Sequence, residues 1–347
     1  MEQDRISKYG RIKLSIMIKI GIAGYGKIGQ LRAKILSERN DTEIVGIYDV
    51  KQPENIDAQI FYNSYDELLN SGLDAVFICA YNTFLAEYTT KALNKGLHVF
   101  CEKPPAMKVE ELDSVFDALK SSGKVLKYGF NHRYHYSIME AKKIIDSGKM
   151  GKLLWMRGVY GKAGSIDYDK NWRNFKKHSG GGILIDQGIH MLDLMRYFSA
   201  EKFNKINSYI TNSYWDIKVE DNAFVLMQSD NNVIASVHSS ATQWKHKFLL
   251  EMCFEEGYLN LDGILSGTRS YAPEKLIIGR REFEDITFAM GKPKETIISF
   301  ENDNSWNLEV EEFINAVNGD GEIKQGTLQD AFETLSLVQK VYENSEI

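Results

Sequence analysis

A carboxylate and an imidazole that stand four residues apart, Asp186 and His190, are spaced for proton transfer. If the chain is helical from about residue 183, the two side chains lie about 40° apart on one helix face, with Asp193 below them. Apolar neighbours can anchor the other faces of that helix: Ile185, Ile189, Leu192 and Met195. A purely structural hydrogen bond between the two is an equal alternative. If they touch, Asp186 should raise the pKa of His190.

A second candidate for chemistry is Lys103, which follows Glu102 at the end of a β-rich run, HVFCEKP. In an open parallel sheet, ligands bind at the carboxyl ends of the strands, so Lys103 is expected to reach the nicotinamide end of a cofactor crevice. A cis bond between Lys103 and Pro104 is one way to aim the ammonium into that cleft. Taken alone, a lysine is usually a surface charge.

The pattern GYGKIG at residues 24–29 is a GxGxxG placed between a β-rich run and a helical one. Its glycines permit a tight turn and a close approach to a pyrophosphate, and the helix N-terminus adds N–H donors. Asp49 ends the next strand, 20 residues after Gly29, where a carboxylate binds ribose hydroxyls and repels a 2′-phosphate. NAD is therefore predicted as the cofactor, with NADP less favoured. The residues assigned to it here are Gly24, Tyr25, Gly26, Lys27, Ile28 and Asp49.

Metal and thiol chemistry are not predicted. His132 and His135 stand three residues apart, but no cysteine or carboxylate spacing completes a metal site. The cysteines lack CxxC spacing and lie in apolar, strand-like runs, so they are expected to be reduced core thiols. They are Cys79, Cys101 and Cys253.

The elements that position these residues alternate along the first part of the chain. Strand-like runs at 18–23, 43–49, 75–80, 98–104 and 125–130 are separated by stretches of helical spacing. This alternation predicts βαβ units and a doubly wound parallel sheet over residues 17–135. Residues 1–16 precede the first strand and are expected to be a dispensable extension.

Beyond residue 135 the pattern changes. Two helical stretches, 136–147 and 183–198, precede seven alternating runs between residues 203 and 300, and these predict a large, mostly antiparallel sheet. We therefore expect an α+β domain for substrate and oligomerisation over 136–325. The last helix, within 326–347, is expected to pack back toward the first domain.

Length and charge exclude several classes of protein. The 347 residues correspond to roughly two domains. With 42 Lys+Arg against 48 Asp+Glu, the net charge of −6 argues against a partner such as nucleic acid or an anionic membrane that is recognised by bulk charge. No apolar run reaches the roughly 18 residues that a spanning helix needs, so a cytoplasmic location is expected.

Five motifs in this order resemble the Gfo/Idh/MocA family, named for glucose–fructose oxidoreductase and inositol dehydrogenase. They are IGIAGYGKIG, CEKPPA, FNHRYH, NWRNF and GGGILIDQGIHMLDLM, spanning residues 18 to about 198. The resemblance implies an N-terminal Rossmann domain followed by a domain with a large open sheet. It also implies a homodimer or homotetramer formed through that sheet.

The resemblance further implies that Lys103 and His190 flank the reacting carbinol, with Asp186 on a substrate hydroxyl beside them. His190 would then act as the base and Lys103 as the cation that stabilises the alkoxide. Family members often carry Thr-Pro-Asn-x-x-His after the fourth strand, where this chain reads AYNTFL over residues 80–85. Cofactor contacts expected from these motifs are Ala80, Asn82, Glu102 and Lys103.

Candidate substrate contacts mix polar groups with aromatic faces, as suits a polyhydroxylated ring. Besides the catalytic trio they are Asn131, Arg133, Tyr160, Trp172, Arg173, Trp244 and His246. The predicted function is hydride transfer between a nicotinamide and a secondary alcohol of a sugar, inositol or nucleotide sugar. The run from Ser240 onward looks like family members of polysaccharide pathways, which favours a nucleotide sugar. A non-catalytic NAD(P)-binding regulator and a reductase of another carbonyl or imine are the alternatives.

Overall fold

The computed structural model describes residues 17–53, 60–283 and 286–346; the predicted extension, residues 1–16, lies outside them. The chain first forms a six-stranded parallel sheet in the order β3-β2-β1-β4-β5-β6. Its strands are β1 (Ile18–Ala23), β2 (Thr42–Tyr48), β3 (Phe61–Tyr62), β4 (Ala75–Ile78), β5 (His98–Glu102) and β6 (Leu126–Gly129). The predicted doubly wound sheet is confirmed.

Helices cover both faces of this sheet, and for that reason its central strands are almost continuously apolar. These helices are α1 (Lys27–Ser37), α2 (Tyr65–Leu69), α3 (Asn82–Asn94) and α4 (Asp113–Ser122). A fifth helix comes from far along the chain: α9 (Ser305–Val317) packs Phe313 edge-on against Phe77, with ring centroids 5.4 Å apart. The chain therefore returns to the first sheet already at α9, whereas the sequence predicted this return only for residues 326–347.

The second sheet has nine strands in the order β14-β13-β12-β11-β7-β10-β9-β8-β15. They are β7 (Leu153–Gly161), β8 (Phe203–Thr211), β9 (Asn222–Ser229), β10 (Ile234–Ser240), β11 (Lys247–Phe254), β12 (Gly257–Asp262), β13 (Glu274–Arg280), β14 (Glu295–Phe300) and β15 (Ser345–Glu346). Neighbours are antiparallel except β7 with β10 and β8 with β15. This confirms the predicted mostly antiparallel sheet. The central strand β7 was not predicted.

The other α-helices in the described residues follow β6. They are α5 (Tyr136–Asp146), α6 (Lys176–Ser179), α7 (Ile189–Ser199), α8 (Ile286–Ala289) and α10 (Leu328–Glu343). Of these, α5, α7 and α10 contact the second sheet, while α6 contacts α3. α7 lies against β7 and β10, and α10 packs on α7 and β8 while also contacting β6. The active-site helix is thus held between the sheet and the closing helix. Within the described residues, no helix is long and apolar enough to cross a membrane.

Candidate active site

Lys103 joins the two halves of the molecule. It follows β5 at the carboxyl edge of the first sheet, and its bond to Pro104 is cis, as predicted. The Lys103 Nζ donates a hydrogen bond of 2.6 Å to the backbone oxygen of Asp186 and lies 3.8 Å from Asp186 Oδ1. Burial lowers the pKa of Lys103, and Asp186 opposes that shift. The ammonium therefore sits between the first sheet and the turn before α7.

Asp186 is surrounded by three cations. Its Oδ2 lies 3.1 Å from Lys162 Nζ and its Oδ1 3.1 Å from Arg173 Nε, with Lys103 on the same side. Burial alone would raise the pKa of Asp186, but these neighbours hold it well below its usual range. The carboxylate is therefore ionised over the whole range in which an enzyme works.

His190 lies at the start of α7 and is only 5% exposed. Its Nδ1 has no hydrogen-bond partner among the described residues, and its ring stacks on that of His132 at 3.8 Å between centroids. Burial lowers the pKa of His190 well below the usual value, and the positive charge of Lys103 lowers it further. His190 is accordingly a neutral imidazole at pH 7.

The condition under which Asp186 was expected to raise the pKa of His190, contact between the two side chains, is not met. The Asp186 carboxylate instead accepts hydrogen bonds from Lys162 and Arg173. The helix also differs from the prediction, because residues Leu184–Gly188 form a π-helical turn before the α-helix begins at Ile189. The two side chains belong to one site but are not a hydrogen-bonded pair.

The segment after β6 supplies a buried polar cluster behind His190. His132 Nε2 lies 3.0 Å from Tyr160 Oη, and His132 Nδ1 lies 3.1 Å from Asn131 Oδ1. His135 instead bonds to Glu274 at 3.0 Å. Tyr160 and Asn131 therefore hold His132, the ring that stacks on His190. No group of three or more metal-ligating side chains was found in the described part of the chain.

Arg133 is not brought to the cleft, although it was named as a substrate contact. Its guanidinium forms a bidentate ion pair with Asp193, at 2.8 and 2.6 Å, and also reaches Asp330 at the start of α10. The side chain is almost fully buried in this network. Asp193, placed by sequence below the catalytic pair, likewise faces Arg133.

The glycine-rich turn opens on a cavity of about 440 Å³ that continues to the carboxylate of Asp49. A Cβ at Gly26 would meet no atom within 4 Å, whereas at Gly29 it would lie 2.0 Å from the oxygen of Gly24. The lack of a side chain at Gly26 thus keeps the cleft open, and the lack of one at Gly29 lets α1 pack against the turn. The predicted cofactor residues that line the cavity are Gly24, Gly26, Lys27, Ile28, Asp49 and Ala80. These features fit a dinucleotide.

The Asp49 carboxylate is fixed by the turn itself. Asp49 Oδ2 accepts a hydrogen bond of 2.6 Å from the backbone N–H of Tyr25, and Oδ1 accepts one of 3.3 Å from Lys51. Asp49 also lines the cavity. This is the arrangement that ribose hydroxyls require of a carboxylate at the end of the second strand.

Two predicted cofactor residues have structural partners. The Glu102 carboxylate accepts two hydrogen bonds from Arg32, at 2.9 and 2.7 Å, and Arg32 also pairs with Glu309 of α9. The Asn82 amide donates to the backbone oxygen of Ser179 at 2.8 Å. Both are buried, so they hold the cleft walls together and are not aimed at a ligand in this structure.

Aromatic residues from both halves meet at the cavity mouth. Tyr81 stacks on Trp172 with centroids 4.6 Å apart, and Trp172 and Arg173 line the same cavity as the glycine turn. His246 contacts the ring of Tyr271, which in turn contacts Tyr160. Trp244 is more than half exposed and packs on Tyr214, away from this cluster.

Sequence reasoning missed Lys162, Tyr81 and the stacking role of His132. Lys162 directly follows β7, the strand that was not predicted, so its position at the carboxyl end of a strand was not recognised. An outward Leu154 and Trp155 obscure the alternation at the start of that strand. The signal that was available is the inward set Met156, Gly158 and Tyr160, which ends two residues before Lys162.

Two family models match the chain. Residues 18–130 match the oxidoreductase family with an NAD-binding Rossmann fold, and residues 138–260 match the Gfo/Idh/MocA C-terminal domain. The D-glucoside 3-dehydrogenase of Escherichia coli is 31% identical over 255 residues, covering 64% of this chain and 70% of that protein. The glucose-6-phosphate 3-dehydrogenase of Bacillus subtilis is 30% identical over 241 residues, covering 65% and 68%.

Solved structures show the same fold at lower identity. Levoglucosan dehydrogenase in complex with NADH and levoglucosan has a TM-score of 0.81 at 19% identity, over 94% of this chain and 97% of that one. UDP-N-acetylglucosamine 3-dehydrogenase from Acidithiobacillus ferrooxidans has a TM-score of 0.75 at 18% identity, over 95% and 98%. The cleft geometry and these matches lead to one conclusion: the chain belongs to the Gfo/Idh/MocA family of NAD-binding oxidoreductases, as an NAD(P)-dependent dehydrogenase or reductase acting on a CH–OH group.

Proposed function

We propose that this enzyme transfers hydride between NAD and a secondary alcohol of a sugar, an inositol or a nucleotide-linked sugar. The observation that carries the proposal is the contact of Lys103 with Asp186, with His190 close enough for the charge of Lys103 to lower its pKa. Arg173, which pairs with Asp186, also lines the cofactor cavity and so connects this group to it. Curated relatives named as sugar and inositol dehydrogenases support this substrate range. A site that offers one base and one cation suits a carbinol carbon.

In this mechanism His190 accepts the hydroxyl proton of the substrate. Its lowered pKa keeps the imidazole neutral at pH 7, as a proton acceptor must be. The Lys103 ammonium stabilises the negative charge that develops on the substrate oxygen. Asp186 holds Lys103 in place through its backbone oxygen. In the reductive direction His190 has to start protonated, and its lowered pKa disfavours that state.

NAD supplies the hydride acceptor when it is bound. The backbone of the turn at Gly24 and Gly26 would hold its pyrophosphate, and Asp49 its adenosine ribose. A carboxylate at that place repels the 2′-phosphate of NADP, so NAD is the proposed physiological cofactor. Tyr81 and Trp172 close the mouth of the same cavity.

A panel of pyranosides, sugar phosphates, inositols and nucleotide sugars tests the proposal, with NADH formation followed at 340 nm. We expect turnover with at least one class and a loss of at least about 10²-fold in Lys103→Met and His190→Asn. Binding of NADH to both variants is the control for folding. Turnover that survives both substitutions would remove the assigned roles.

We also propose that the open face of the second sheet forms the contact between subunits. Trp155, Leu226 and Ile234 lie on one face across the adjacent strands β7, β10 and β9, and all are exposed. An apolar patch of this extent on a sheet usually marks an interface. Light scattering coupled to size exclusion should give a dimer or tetramer, and Leu226→Lys should weaken it. A wild-type monomer would contradict this proposal.

A further inference from the structure

The catalytic cleft carries more positive charge than its own residues neutralise. Three cations, Lys103, Lys162 and Arg173, lie within 3.8 Å of the single carboxylate of Asp186, so this ion-pair cluster holds two more positive than negative charges. Glu102, the next carboxylate along the chain from Lys103, is already paired with Arg32. The whole protein, by contrast, has a net charge of −6. The cleft therefore has the opposite sign to the molecule around it.

Arg173 has hydrogen-bond donors that no protein group uses within the described residues. Arg173 uses only its Nε toward Asp186, and its terminal amino groups make no hydrogen bond to a side chain or backbone in residues 17–53, 60–283 or 286–346. Its guanidinium lies over the ring of Trp172, with 4.5 Å from Cζ to the ring centroid, which fixes its plane. A guanidinium held in this way presents a planar fork to a carboxylate or phosphate.

Lys162 distinguishes the substrate side of the cleft from the cofactor side. Arg173 lines the cofactor cavity, but Lys162 is not among its lining residues. The Lys162 ammonium instead lies beside Asp186 and over the ring of Tyr168, with a side chain only 16% exposed. A partly buried ammonium is costly unless an anion balances it, and the anion beside Lys162 is one that it shares with Lys103 and Arg173. The pyrophosphate of a cofactor bound at the glycine turn could balance the charge of Arg173, which lines that cavity, but not the charge of Lys162, which does not.

We propose that the substrate of this enzyme carries an anionic group, a carboxylate or a phosphate, that Lys162 and Arg173 bind beside the reacting carbinol. The inference rests on the proposed dehydrogenase function and narrows its substrate class. The anion completes the charge balance that Asp186 begins. Lys162 is then a specificity-determining residue, and the positive cleft attracts the substrate over distances of about a Debye length.

The test compares matched pairs of substrates with NAD. Each neutral glucoside is paired with its uronic acid and with its 6-phosphate. We expect kcat/KM to be higher for the anionic member by about 10- to 100-fold, since a charge-assisted hydrogen bond is worth about 1.5–3 kcal/mol. The preference should shrink as ionic strength rises. Comparing the uronic acids with the 6-phosphates shows whether the enzyme prefers a carboxylate or a phosphate.

Variants assign that preference to a residue. Lys162→Gln should abolish most of the preference for the anionic member while Lys162→Arg preserves it. Lys170→Gln, which removes a surface lysine paired with Asp167 on the same segment, is the matched control and should change nothing. A preference for neutral substrates, or an equal loss on both members in Lys162→Gln, overturns the inference. Turnover of a neutral sugar would still leave the dehydrogenase function standing.

Discussion

The imidazole rings of His132 and His190 are stacked with 3.8 Å between their centroids and 19° between their planes. His132 is itself held by Tyr160 and Asn131. One face of the His190 ring is therefore shielded from water by the ring of His132, which Tyr160 and Asn131 hold in place. This packing, together with the charge of Lys103, explains why His190 is neutral at pH 7.

Opening that stack should change the pH profile. In His132→Ala, water reaches His190, so its pKa should rise toward the ordinary value of about 6.5. The acid limb of kcat/KM for alcohol oxidation should then move to higher pH, because the acceptor form of His190 is lost earlier on acidification. His132→Phe keeps a stacked ring and should leave the limb in place. An unshifted limb in His132→Ala would refute the shielding role.

Removing the Asp186 charge should act on Lys103. Asp186 raises the pKa of Lys103 against the effects of burial, Arg173 and Lys162. In Asp186→Asn the pKa of Lys103 should therefore fall, and the basic limb of kcat/KM should move to lower pH as the ammonium is lost earlier. The acid limb is the internal control, because Asp186 pairs with Lys103, Lys162 and Arg173 and not with His190. A shift of the acid limb alone would contradict this division of roles.

Asp49 should set the choice between NAD and NADP. Asp49→Asn keeps an acceptor for the Tyr25 N–H but removes the charge that repels a 2′-phosphate. We expect the ratio of kcat/KM for NAD over NADP to fall by about tenfold or more. Asp49→Ser also removes the acceptor and should weaken NAD further. An unchanged ratio in both variants would mean that Asp49 does not face the ribose.

Glu220 should act as a positioning residue for the active-site turn. Its buried carboxylate accepts hydrogen bonds from the N–H groups of Gly182 and Leu184, at 2.9 and 3.0 Å, and from Tyr342 Oη at 2.7 Å. Glu220→Ala leaves these donors unsatisfied, which should lower the free energy of unfolding by at least about 1–3 kcal/mol. It should also lower kcat more than it raises KM, because the turn carrying Asp186 shifts.

Two variants control for simple loss of stability. Glu220→Gln retains an acceptor oxygen and should restore most of kcat, while Tyr342→Phe removes only one of the three donors and should have the smaller effect. Thermal unfolding and NADH binding report the fold separately from turnover. A kcat in Glu220→Ala equal to that of the wild type at a temperature where it is folded would rule out the positioning role.

Local motifs made much of this site predictable. The glycine turn and the strand ends at Asp49 and Lys103 are set by short-range patterns, so their place at one edge of the sheet followed from parallel topology. The cis bond after Lys103 was also predicted and is present. Fold class was predictable for the same reason, since alternating strands and helices restrict the topology.

Long-range pairing was not predictable from the sequence. Arg133 was named as a substrate contact, but it forms ion pairs with Asp193 of α7 and Asp330 of α10, which are distant in sequence. Glu102 is likewise held by Arg32 and not by a ligand. The neighbours of Asp186 also differ from the prediction. The turn that carries it is π-helical, and Lys162, which follows the strand β7 that was not predicted, pairs with it. Such ion pairs join residues that are far apart in the sequence, so the spacing of residues within a motif does not predict them.

The most direct test of the catalytic assignment is single-turnover hydride transfer with a substrate found in the panel. NADH binding should stay within about twofold of the wild type in Lys103→Met and His190→Asn, while the rate of NADH formation falls by at least about 10²-fold in each. The double variant should lose little more than the worse single one, because the two groups act on one oxygen. Rates within about tenfold of the wild type in both single variants, with NADH bound normally, would contradict the account.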